Sequence, residues 1–256
     1  MKAKKLSPGL VLYELRNLGG EWYVYFFGIV LPVFLCAVIP RAFASQVPKE
    51  AVTELNTSVM LTMTLVIPMS IMFLGYGALY AQEVEKGIPL RMRLFGFGEK
   101  TMMAAKIIAN LIFMSIAMVI FGIAVPLIMQ IEKPAASSLV CLIVCLYALG
   151  IIFLVMAHAI AGLLGRFGPA YAVMMIIYFF FMVISGMMGA RINQLPRALQ
   201  AVAKTFPMFY ISNDFIDFWQ GEAYHFMPLL QSVLFFGAVA GILMFLFIEK
   251  NKRAVH

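Results

Sequence analysis

Glu83, Glu85, Lys86, Arg91, Arg93, Glu99, Lys100 and Lys106 fall in a single connector of a chain that is otherwise one apolar run after another. The chemistry such a run offers is recognition by charge, since ionised groups of both signs make the stronger, charge-assisted hydrogen bonds. Wedged between two long apolar stretches, it gives a soluble partner a place to grip. Within it, Gly87-Ile88-Pro89 breaks the preceding helix and re-aims the chain, because Gly permits unusual backbone angles and Pro fixes φ. Glu83, Glu85, Gly87, Pro89, Arg91 and Arg93 are therefore the candidate coupling residues. The alternative for Arg91 and Arg93 is anchorage to lipid headgroups.

Other candidates lie inside the apolar runs. Tyr171, Met175, Tyr178 and Met182 follow 4-3-4 spacing and share a helix face. Adaptable Met and Tyr with a polar tip suit an amphipathic substrate, or equally the packing of a neighbouring helix. Gly237 and Gly241 form a GxxxG pair that allows close helix approach, within one chain or between two. His158 is either a helix-packing hydrogen-bonder or a proton relay. Cys36, Cys141 and Cys145 read as small packing residues, and Cys141 and Cys145 have no His or carboxylate at ligand spacing. No metal site is expected.

What is absent speaks against several chemistries. Gly96-Phe97-Gly98-Glu99-Lys100-Thr101 ends like a phosphate-binding loop, but the G-x-x-x-x-G-K-[ST] spacing fails and no strand precedes it. If ATP drives this protein, another chain must hydrolyse it. Carriers driven by ion gradients usually bury carboxylates or cations within their spans, and these spans hold almost none. An intramembrane serine protease fails too: Val183 stands where G-x-S-G needs its first Gly, and His158 precedes Ser185 instead of following it.

The elements that must position these residues are membrane helices. The 256 residues are 63% hydrophobic and 12% charged, with a mean hydropathy of +0.96. A soluble domain is about half apolar and about a quarter charged, so lipid must be the solvent here. The net charge of +7 lies at span ends and connectors, a pattern of membrane orientation and not of nucleic-acid binding. The sequence predicts an all-α membrane protein, one transmembrane domain over residues 1–256. Its six transmembrane helices lie near 22–40, 57–81, 103–129, 137–164, 170–190 and 226–248. The first begins too far from the N-terminus to read as a cleaved signal peptide. Pro32, Pro68 and Pro126 are internal to spans and kink them.

Ser7-Pro8 starts an N-terminal amphipathic interfacial helix over residues 7–20. Its apolar stripe is Val11, Leu15, Leu18 and Trp22, with Glu14, Arg16 and Asn17 off the stripe and Lys2, Lys4 and Lys5 near lipid headgroups. Residues 83–102 form the charged coupling loop. Residues 190–225 form an aromatic, proline-bounded segment that dips into the far interface, with one short helix around Leu199–Ala203. With the N-terminus inside, 13 of the 19 Lys and Arg fall on inner segments, the other six being Arg41, Lys49, Lys133, Arg191, Arg197 and Lys204. The positive-inside rule then makes both termini and the charged loop cytoplasmic.

These features together resemble the ABC-2 type permeases, the membrane subunits of ATP-binding-cassette exporters. In that family's first cytoplasmic loop a Glu, three further residues and a Gly lead into a short helix, with a Lys at the next span. Glu83, Gly87 and Lys106 match, while Ile88 replaces the usual small polar residue and Pro89 follows it. Beyond the fifth span, Ser185-Gly186, Leu195-Pro196, Phe206-Pro207 and Tyr210 match, with Phe206 in place of the usual Asn. The resemblance implies a half-transporter in the cytoplasmic membrane that pairs with a second permease chain, as a homodimer or heterodimer. It also implies a separate P-loop ATPase subunit that carries ATP and Mg; this chain would bind no cofactor. The rival readings are an ion-coupled secondary transporter and a non-transport membrane anchor or immunity protein.

Overall fold

The computed structural model describes residues 5–43, 45, 47–187 and 196–253. Lys2, Lys4, Arg191 and Leu195 lie outside the described residues. Helix α1 (Pro8–Gly19) is opened by Ser7, whose Oγ accepts from the Leu10 amide at 3.3 Å, with Pro8 in the first turn. Among the described residues six helices are long and apolar enough to cross a membrane: α2 (Trp22–Phe43), α3 (Lys49–Glu85), α5 (Glu99–Ile128), α6 (Ala136–Leu164), α7 (Phe167–Ile184) and α11 (Phe226–Arg253). The short α4 (Ile88–Leu94) joins the second and third spans. The all-α, six-span architecture read from composition is thus the one observed, and no β-strand occurs among the described residues.

The spans overrun the apolar stretches that predict them. The second is 37 residues long, and the last continues through its basic end, where Lys252 pairs with Glu249 at 2.9 Å. Backbone hydrogen bonding does not stop at the edge of an apolar run, so a helix extends until a cap or breaker ends it. The fifth span stops early, at Ile184, ahead of a turn in which Gly186 takes φ +73°.

The second span is the hub. In its most apolar window 94% of residues are buried, against 22–39% in the other five. Its hydroxyls turn inward and find partners: Thr57 donates to Thr53 O, Thr64 to Leu61 O, and Ser70 meets Tyr178 at 3.3 Å. A helix encircled by others keeps its polar groups only if each is satisfied inside the bundle. Two segments widen to π-helix, Phe26–Val30 just before Pro32 and Met69–Gly75 just after Pro68. Proline lacks the N–H that closes an α-turn and crowds the preceding carbonyl, so the local register shifts.

The two π segments touch. Gly28 lies so close to Ile71 that an added Cβ would fall 2.7 Å from its Cγ1. Gly77 backs onto Met174 and Ala157, and Gly162 onto the ring of Phe247, in each case without room for a methyl group. Close approach is therefore carried by these three glycines. At the GxxxG pair, a Cβ added at Gly237 would lie 3.8 Å from Ile152 Cδ1, an ordinary contact, and Gly241 faces open space.

Among its described residues, the segment before the last span holds three short helices, where the sequence predicts one: α8 (Arg197–Ala203), α9 (Pro207–Asn213) and α10 (Phe215–Trp219). Each takes its place by burying aromatic and aliphatic side chains, including Met208, Ile211, Phe215 and Trp219. The Trp219 indole donates to Glu132 O at 3.0 Å, which ties this segment to the connector between the third and fourth spans.

Candidate functional site

Three charged side chains meet at the end of the bundle that carries the termini. Lys106 Nζ lies 2.9 Å from Glu14 Oε2 and 2.7 Å from Glu83 Oε1. Asn17 Nδ2 donates to the same Glu83 oxygen at 3.4 Å. Their side chains are only 8–11% exposed, so the group is an internal clasp and not a surface ion pair. It joins α1, the last turn of the second span and the second turn of the third.

Glu83 and Lys106 stand out in the sequence; Glu14 does not. The expected stripe of Val11, Leu15, Leu18 and Trp22 leaves Glu14 on the polar side. In the structure the buried face is Leu10, Glu14 and Leu18, and Trp22 is 73% exposed. The face that meets the bundle is therefore not the apolar stripe: Glu14 turns inward to a buried cation, a partner that a count of apolar positions does not register. The signal that finds it is the 4-residue spacing of Leu10, Glu14 and Leu18, which puts all three on one face.

Two carboxylates share one ammonium here, so the clasp is electrostatically short of one positive charge. Burial pushes the Glu14 carboxyl above its ordinary value of 4.5, and Lys106 offsets this only in part. Glu14 holds its proton more tightly in the folded chain than in the unfolded one. Its contribution therefore favours folding below 4.5 and is lost as the pH rises through the raised value. Glu14→Gln keeps the shape and leaves Lys106 and Glu83 as a one-to-one pair. Thermal unfolding of the detergent-solubilised protein, followed upward from about the ordinary carboxyl value, should show a smaller decline for this variant than for the unaltered chain. An equal decline would assign the pH dependence elsewhere.

The loop itself is built as follows. Lys86 N–H donates to Gln82 O and Gly87 N–H to Val84 O, which closes the second span. Gly87 takes φ +66° with nothing near its missing Cβ, so it is the left-handed backbone, not space, that requires glycine. Arg91 N–H then donates to Gly87 O and opens α4, with Pro89 in the first turn, where an amide has no intrahelical partner. Helix α4 exposes Leu90, Leu94 and the adjoining Phe95 beside Arg91 and Arg93. Arg91 reaches Lys86 O at 3.2 Å, and neither arginine has a carboxylate within 4 Å among the described residues. Glu85 caps another element: its Oε2 accepts from the Phe167 amide at 2.8 Å, at the start of the fifth span.

The remaining candidates are separate from this site. On the fifth span the buried face is Ala170, Met174, Tyr178, Phe181 and Ile184. Of the Tyr and Met stripe only Tyr178 lies on it; Met175 and Met182 are half-buried, and Tyr171 stacks on Phe167 with centroids 5.4 Å apart. His158 Nδ1 sits 2.7 Å from the Tyr76 hydroxyl, and its ring stacks on Tyr80 at 4.1 Å. That cluster locks the second span to the fourth. Among the described residues no group of His, Cys, Asp and Glu is placed to hold a metal ion.

A sequence model of the ABC-2 type transporter family matches residues 10–218, a stretch that contains Glu14, Glu83, Lys106 and the whole of α4. No curated protein and no solved structure matches the chain.

Proposed function

The chain belongs to the ABC-2 type transporter family, as a multi-pass membrane permease, and from that premise we propose that it is the membrane half of an exporter driven by ATP hydrolysed on a separate subunit. The observation that carries this reading is α4: a short helix whose Arg91 and Arg93 have no carboxylate within 4 Å among the described residues, beside exposed Leu90, Leu94 and Phe95, on a chain of a transporter family. An exposed apolar patch rimmed by charge is what a protein partner covers. The partner is a P-loop ATPase that brings ATP and Mg; this chain holds neither. Two permease chains, alike or different, pair in the cytoplasmic membrane with their termini on the cytoplasmic side.

Closure of the ATPases around ATP pushes α4. Glu83, at the root of α4, passes the displacement to Lys106 and Glu14, so the second span, the third span and α1 move together. Because the second span is surrounded by the others, its shift re-seats the bundle from inward-facing to outward-facing. The partner drives this only if it contacts the two states differently. The cargo is amphipathic or hydrophobic, and Tyr171, Met175, Tyr178 and Met182 form the face it would meet when the bundle opens.

The test is to look for a P-loop ATPase in the reading frames next to this chain's and to pull it down with this chain from detergent. Reversing both charges, Arg91→Glu with Arg93→Glu, should weaken capture at least about tenfold, since like charges facing each other at an interface cost several kcal/mol. The variant should remain in the membrane. Normal capture and normal transport would remove α4 from the docking role. Export that survives an ATPase unable to hydrolyse ATP, yet collapses with the ion gradient, would replace this reading with an ion-coupled carrier.

A further inference from the structure

A groove runs between the first and third spans, in the half of the bundle opposite the termini. Its part nearer the bilayer centre has a volume of about 340 Å³ and an apolar lining that includes Ile29, Val33, Phe34, Ala37, Ile120 and Ile128. A second cavity of about 200 Å³ continues it outward, sharing Ala37 and Ile128, and adds Arg41 and Asn56. From Ile29 to Arg41 the helix rises about 18 Å at 1.5 Å per residue. Half of a bilayer's hydrocarbon core is about 15 Å. The groove as a whole, its apolar part from Ile29 to Ala37 and its outer part to Arg41, is thus about as long as one leaflet's acyl chains, which would set its mouth at headgroup level.

That mouth holds an unpaired cation. Arg41 donates from Nη1 to Ala37 O and from Nη2 to Ile128 O at 3.5 Å, and among the described residues it has no carboxylate within 4 Å. Two carbonyls occupy two of the five guanidinium N–H donors and leave its charge uncancelled. The Asn56 amide is already engaged with Gln130 O at 2.8 Å. A groove one leaflet deep, apolar along its inner part and ending under a guanidinium with free donors, complements a molecule with an anionic head and a long tail. We infer that this groove is a site for one acyl chain of an anionic phospholipid, whose headgroup sits on Arg41. The assignment does not depend on which face of the membrane is cytoplasmic, nor on what the protein exports.

The test uses the full chain in phosphatidylcholine vesicles doped with a trace of lipid carrying a diazirine on its acyl chain. The tracer is either phosphatidylglycerol or phosphatidylcholine with the same chain. After illumination, the tracer should be found on peptides spanning 29–37 and 120–128. Phosphatidylglycerol should label them about fivefold more, the preference one near-surface cation confers. Arg41→Gln, which retains amide donors for capping but no charge, should bring the two tracers level. Arg41→Lys should keep the preference, and Ala37→Trp, which fills the groove, should remove labelling by both. Equal labelling of the unaltered chain, or a preference that survives Arg41→Gln, would overturn the site and leave Arg41 as a helix cap. Absence of labelling together with disulfide cross-linking of two Ala37→Cys chains would assign the groove to a second copy instead.

Discussion

Lys106→Met is expected to destabilise the protein by about 3–5 kcal/mol, the penalty for removing one partner of a buried ion pair. Two carboxylates, Glu14 and Glu83, would then face each other inside the bundle with no cation within reach. The loss reads out as a lower thermal midpoint in detergent and poorer recovery from the membrane. A second variant separates charge from shape: Lys106→Met combined with Glu14→Gln and Glu83→Gln removes all three charges. Replacing a whole buried ion network by neutral groups is often neutral or stabilising, so this triple variant should regain most of the midpoint. It should still fail to couple, because the link between α1, the second span and the third span would be gone. If the single variant is as stable as the unaltered chain, the clasp is not a structural element. If the triple variant transports normally, the clasp holds the fold without carrying the stroke.

Gly162→Ala should cost about 1–3 kcal/mol, the usual penalty of forcing an extra methyl into a filled core. The methyl would fall 2.2 Å from Cε2 of Phe247, which is buried and has little freedom to swing, since its ring already meets that of His158 nearly at right angles at a centroid distance of 5.5 Å. The fourth and last spans would separate at that end, where Lys250 Nζ also donates to Leu163 O at 2.6 Å. Shrinking the partner should restore the fit. In Gly162→Ala with Phe247→Leu, the thermal midpoint should return most of the way, and a strictly additive loss from the two changes would show that the contact is not the cause. The same substitution at Gly241, which faces open space, provides the comparison, with little change expected.

Much of this architecture is legible along the chain. Runs of apolar residues too long for a soluble core declare membrane helices one by one, because each span's transfer into lipid depends on its own residues. The turn at Gly87-Ile88-Pro89 is equally legible, since φ +66° and a proline in a first helical turn are local requirements. Less legible is which face of each helix turns inward. On α1 the predicted stripe misses Glu14, and on the fifth span the Tyr and Met stripe lies about one residue from the buried face. In a membrane both faces of a span are apolar, so periodicity carries little orientation.

Composition and short stretches of chain are enough to specify the class of molecule, the number of spans, the family resemblance and the place where charge collects. Packing settles the rest. It puts the second span at the centre, gives the close contacts to three glycines instead of the GxxxG pair, and sets Arg41 at the end of a lipid-facing groove. It also divides the charged loop in two. Arg91 and Arg93 stay outside, while Glu83 turns inward to Lys106, 23 residues on, which in turn holds Glu14, 92 residues back. Partners that far apart are brought together only when whole helices pack, and no spacing rule along the chain records that.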